Sequence, residues 1–128
     1  MCFIIGGATT PGGSNINALY ACYSDSMTVV DLGEFFYSSM GIDYAFAWYV
    51  PWIGSAGGIC AGGGIDLNNT ISGDTQCYDI GACTFNAVNT DLGPLPQPWL
   101  SGGGAWKMNG SQYELWGLNG VDVAFDLL

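Results

Sequence analysis

Acids dominate the reactive side chains of this 128-residue sequence: nine Asp with Glu34 and Glu114 stand against one base, Lys107, and there is no Arg and no His. Without histidine, neither a Ser–His nor a Cys–His nucleophile can be assembled. Two carboxylates can serve as acid and base in glycoside hydrolysis, but no spacing here singles out a pair, and carboxylates on a small acidic protein are ordinarily solvated. Asp66, Asn68, Thr70 and Ser72 alternate as calcium-loop ligands do. The pattern then fails, because Gly stands eighth instead of sixth and Cys77 stands where the bidentate Glu belongs. An Asx-rich turn explains the same residues. The chemistry-bearing side chains thus point to a protein that is not an enzyme and that uses neither a metal nor a cofactor.

Five cysteines, Cys2, Cys22, Cys60, Cys77 and Cys83, show no C-x-x-C spacing, and a His-free chain offers little for zinc. One or two disulfides are expected, with one thiol left over or paired between chains. Four paired cysteines allow three connectivities, and the sequence does not choose among them. The sequons at Asn68 and Asn109 fit the same oxidising, extracellular setting. The opening residues MCFIIGG lack the basic region of a signal peptide, so a secreted form would be the mature chain.

Charge excludes several partners. With a net charge of −10 and one Lys, the chain cannot build the cationic surface that nucleic acid requires, and anionic membranes are disfavoured. The 22 uncharged residues between Asp43 and Asp66 are long enough to span a bilayer, and Gly54, Gly58 and Gly62 repeat at small-xxx-small spacing. Pro51, the other glycines and the absence of flanking Lys or Arg favour a buried strand followed by a Gly-rich loop.

The elements that must position any site follow from pattern. Hydrophobic residues make up 49% of the chain and charged ones 9%, enough to fold as a single domain over 1–128. Cys2 to Ile5 reads as a buried strand. Ser14 as cap and Ile16, Leu19, Tyr20, Tyr23 and Met27 at helical spacing predict a helix. Asp31 and Glu34 form a capping box for a second, running through Phe35, Phe36 and Met40 to Gly41; the two could also be one broken helix. Ile42 to Ile53 suits a strand that Pro51 ends. SAGGICAGGG should form no regular element, and a strand is expected around Cys83 to Phe85. Residues 93–99 read as an extended loop. Asn109-Gly110 predicts a hairpin between Ala105–Met108 and Ser111–Trp116, and Val121, Val123, Phe125 and Leu127 alternate as a third strand. The expected fold class is α+β: an N-terminal strand and one or two helices packed on a mostly antiparallel sheet that ends in a C-terminal three-stranded meander.

Five Trp, seven Tyr and six Phe are the most suggestive feature. An aromatic ring can pack the apolar face of a sugar while amides and carboxylates bond its hydroxyls. Trp99 and Trp106 lie in or beside Gly/Pro-rich loops, where large apolar groups serve binding. On the hairpin, alternation puts Glu114 and Trp116 on one face and Tyr113 on the other. The candidate ligand-binding residues are Trp99, Trp106, Tyr113, Glu114 and Trp116; a cross-strand core packing is the competing explanation.

With almost no basic residues, loops rich in glycine and aromatics, an odd cysteine count and the hairpin from Trp106 to Trp116, the chain resembles the small secreted glycan-binding proteins of mushrooms. That resemblance implies a lectin-like activity, glycans as partners, and dimers formed through strands. The leading expectation is a secreted, non-catalytic carbohydrate-binding protein. A structural subunit of an extracellular filament or capsid-like assembly is the alternative, and a membrane-active effector using residues 44–65 is the third.

Overall fold

Period-two patterning and β-branching prevail over helical spacing where the two compete among the described residues. The structure, a computed structural model, describes residues 1–6, 17–38, 45–66, 68–98 and 103–118. Among them every regular element is a strand, so the fold is β and the expected α+β class is corrected. Strands β1 (Cys2–Ile5), β2 (Ala18–Tyr23) and β3 (Thr28–Glu34) form an antiparallel sheet in that order. A second antiparallel sheet orders β4 (Phe46–Val50), β5 (Gly58–Gly62), β6 (Thr75–Asp79) and β7 (Thr84–Phe85). Strands β8 (Gly103–Asn109) and β9 (Gln112–Leu118) form a hairpin.

Both expected helices fail for identifiable reasons. Leu19, Tyr20 and Tyr23 lie in β2, the central strand of its sheet. A strand covered on both faces reads as an unbroken apolar run, which periodicity cannot tell from a helix. The Asp31 to Glu34 signal belongs to a β-bulge instead of a cap. The register steps from Leu19 opposite Gly33 to Tyr20 opposite Asp31. Gly33 takes φ +109, which its missing side chain permits. The Asp31 carboxylate accepts the Gly33 N–H at 2.9 Å, the local bond with which Asp competes against helix. Ser14, Ile16, Met40 and Gly41 lie outside the described residues, as do Val121 to Leu127, the third strand of the expected meander.

The glycine-rich stretch expected to be irregular supplies β5, a central strand buried along its whole length. Its glycines make room for large neighbours. A Cβ on Gly58 would come within 2.9 Å of Ile53, and one on Gly62 within 2.8 Å of Thr75 and 3.3 Å of Trp48. Bulk withheld from β5 is thus supplied from the strands and turn beside it. The described part of the uncharged 44–65 segment is β4, a turn containing Pro51, and β5. No helix among the described residues is long and apolar enough to cross a membrane.

Two apolar clusters cover the two faces of the second sheet. Ile59, Ala61 and Tyr78 pack with Leu19, Phe35 and Tyr37 from the first sheet and the segment after it. On the other face lie Phe46, Trp48, Val50, Ile53 and the half-cystines Cys60 and Cys77, joined by Leu92 and Leu95. Each large side chain fully buried this way contributes about 1.5–3 kcal/mol. The Cys60–Cys77 disulfide joins directly opposed positions of β5 and β6. Gln76 is a buried polar clip: its Oε1 accepts the N–H groups of Phe36 (2.7 Å) and Tyr37 (3.1 Å), and its Nε2 donates to the Asn86 carbonyl (2.9 Å). One side chain therefore satisfies three backbone groups and ties the segment after β3 to the second sheet.

Candidate functional site

The hairpin β8–β9 forms because a two-residue loop matches the twist of its strands. The loop is Gly110-Ser111, with Gly110 at φ +62 and Asn109 already paired to Gln112. The turn sits one residue later than an Asn109-Gly110 loop would place it. That step has consequences, since register decides which side chains meet: Lys107 now lies directly opposite Glu114, and Ala105 opposite Trp116.

One face of the hairpin consequently gathers Lys107, Asn109, Glu114 and Trp116, as their mutual contacts show. The Asn109 amide donates to Glu114 Oε1 at 2.6 Å. Lys107 Nζ lies 3.5 Å from Glu114 Oε2 and 5.2 Å from the centroid of the Trp116 ring. The hydrogen bond from Asn109, followed by the charge of Lys107, holds the Glu114 carboxyl below its ordinary range. Trp116 is 46% exposed. Its backbone carbonyl accepts the indole N–H of Trp48 at 3.1 Å, which fixes the hairpin to β4. Trp48 itself stacks on Phe46, with ring centroids 5.6 Å apart and planes 10° from parallel. The exposed platform thus stands on a buried aromatic pair.

Of the five candidate residues, the structure brings Glu114 and Trp116 together on this face. Trp106 and Tyr113 occupy register positions opposite Leu115 and Met108 on the hairpin; their side chains, and all of Trp99, lie outside the described residues. Asn109 carries no site signal in the sequence, because Asn-Gly reads as a turn. Lys107 as the partner of both Glu114 and Trp116 is legible from the alternation of Lys107 and Glu114 around a Gly turn only once the register is known. Chemically, the face offers an aromatic surface with a cation over one side, an ionised carboxylate and an amide. It presents hydrogen-bond donors and acceptors around an apolar plane.

A second concavity, an open cleft of about 350 Å³, is lined by Tyr37, Ser38, Asp66, Thr70, Ser72 and Asp74 among others. No sequence signal joins residues 37–38 to 66–74, since only the tertiary fold does so. Its polar groups are largely engaged already. Asp66 Oδ1 accepts the N–H groups of Asn68 (2.8 Å) and Thr70 (2.9 Å) as an Asx turn. Asp74 Oδ1 accepts from the Asn89 amide at 2.7 Å. The Tyr37 hydroxyl donates to the Gly63 carbonyl at 3.2 Å, and burial, with the nearby Asp74, pushes that phenol far above its ordinary range. The hairpin face, in contrast, is solvent-facing.

No protein-family model matches the chain, and no curated protein is significantly similar to it.

Proposed function

We propose that this is a secreted, non-catalytic carbohydrate-binding protein of lectin-like character, and that the hairpin face is its glycan site. The observation that carries the reading is the gathering of exposed Trp116 with Glu114, Asn109 and Lys107 on one strand pair. In this role Trp116 packs the apolar face of a pyranose, Glu114 accepts from ring hydroxyls, and Lys107 and Asn109 donate to them. The Cys60–Cys77 disulfide agrees with an oxidising, extracellular compartment. A glycan array, run with calcium and again with chelator, tests the reading. Binding to a defined glycan set should be chelator-insensitive, and Trp116→Ala should weaken it at least about tenfold, or ~1.4 kcal/mol. Phe36→Ala, at an exposed ring off the hairpin, should not. A blank array from folded protein removes the proposal.

One observation favours a second reading, a subunit of an extracellular assembly. The edge strand β3 leaves Val29 and Val30 exposed, and Ile4 and Met27 are exposed on the same sheet and its turn. Exposed apolar edges invite strand-to-strand association. Light scattering that stays monomeric at high concentration would remove this alternative.

A further inference from the structure

Three of the five cysteines are thiols in the structure: Cys2, Cys22 and Cys83. Cys2 and Cys22 are direct partners across β1 and β2. Directly opposed residues of antiparallel strands have Cα atoms about 4.5–5.5 Å apart, inside the 4.4–6.8 Å span of disulfides. The same molecule already bridges one such pair, Cys60 and Cys77, across β5 and β6. The neighbouring Cys2 thiol pushes the Cys22 thiol above its ordinary range. They lie in the wall of an apolar depression of about 370 Å³ with Met1, Tyr23, Met27 and Val29. Cys83 is placed elsewhere, in the turn before β7, where its thiol donates to the Ile80 carbonyl at 3.6 Å.

We propose that Cys2 and Cys22 are a modification site at which a second intrachain disulfide forms, cross-linking β1 to β2 and leaving Cys83 as the odd thiol. A low-molecular-weight disulfide such as oxidised glutathione is the oxidant. One thiolate attacks a glutathione sulfur and expels one glutathione thiolate. The second protein thiolate then attacks the mixed disulfide and expels the other. The protein loses two electrons and two protons, and one glutathione disulfide becomes two glutathiones. The new bridge lies at an exposed Cys2 and a half-buried Cys22, whereas Cys60 and Cys77 are buried. It is therefore the one that small reductants reach first, and it cross-links β1, which among the described residues pairs with β2 alone.

The full chain, treated with oxidised glutathione and then alkylated with iodoacetamide in denaturant without reduction, tests this by intact mass and chymotryptic mapping. A linked Cys2–Cys22 peptide is expected, with Cys83 alone carrying an alkyl or glutathione adduct. Adducts on all three of Cys2, Cys22 and Cys83, or a bridge that includes Cys83, overturn the proposal. Graded dithiothreitol on the native protein should expose Cys2 and Cys22 to alkylation before Cys60 and Cys77. Simultaneous or reversed opening overturns the assignment of this bridge as the reducible one. Neither result depends on whether a glycan binds.

Discussion

The two larger sheets are built from similar residues and live in different solvents. The four-stranded sheet is covered on both faces, and β5 has no exposed residue. The three-stranded sheet gives Phe3, Ile5, Leu19 and Leu32 to the core, and β3 is mostly exposed, with Val29 at 64% and Val30 at 43%. β-Branched character therefore says that a residue is in a strand and not whether it is inside. What separates the sheets is glycine. Gly58 and Gly62 let Ile53, Thr75 and Trp48 close over β5, whereas Ile4, Val29 and Val30 of the first sheet are exposed among the described residues.

Paired truncations should break this contrast most strongly. Phe46→Ala, in the fully buried cluster, should cost about 3–5 kcal/mol, while Val30→Ala on the exposed edge should stay within about 0.5 kcal/mol. Urea denaturation of both variants measures the difference, and equal losses would mean that the edge strand β3 is covered. Gly62→Ala probes the middle range. Its new methyl must displace Thr75 and Trp48, so a loss of about 1–3 kcal/mol is expected, together with altered indole fluorescence as Trp48 shifts. Unchanged stability would show that the neighbours give way freely. The smallest effect belongs to the hairpin. Because the folded Glu114 carboxyl lies below its ordinary range, its interactions stabilise the protein above the unfolded carboxylate's titration and are lost as pH falls through the lowered folded value. Asn109→Ala removes the first cause of that shift, so the Glu114 carboxyl followed by NMR should titrate at a higher pH than in the parent. An unmoved titration would assign the shift to Lys107 instead.

Local signals in the sequence were reliable where contacts are local. Cys2–Ile5 is a strand as expected, although Cys2 and Ile4 are exposed and not buried, and the hairpin follows from a Gly turn between alternating runs, with Glu114 and Trp116 sharing a face. The loop is Gly110-Ser111, one residue after the expected Asn109-Gly110, because Asn109 and Gly110 both suit turns. Where partners are distant, the pattern misled. β2 looked helical because both its faces are partly covered. β5 looked irregular because its packing bulk belongs to residues 48, 53 and 75. The Gln76 clip spans about forty positions to Phe36 and Tyr37, and no periodicity reports a bond of that range.

Lys107 is the chain's only basic side chain, and it stands over Trp116 in the proposed glycan site. Any amine-directed handling of the protein, whether fluorescent labelling or coupling to an activated surface, finds its one side-chain target there. A binding assay that immobilises or tags the protein through amines would modify the face it means to measure, so the glycan should be the tethered partner and the label should go through thiols, of which Cys2 and Cys83 are exposed.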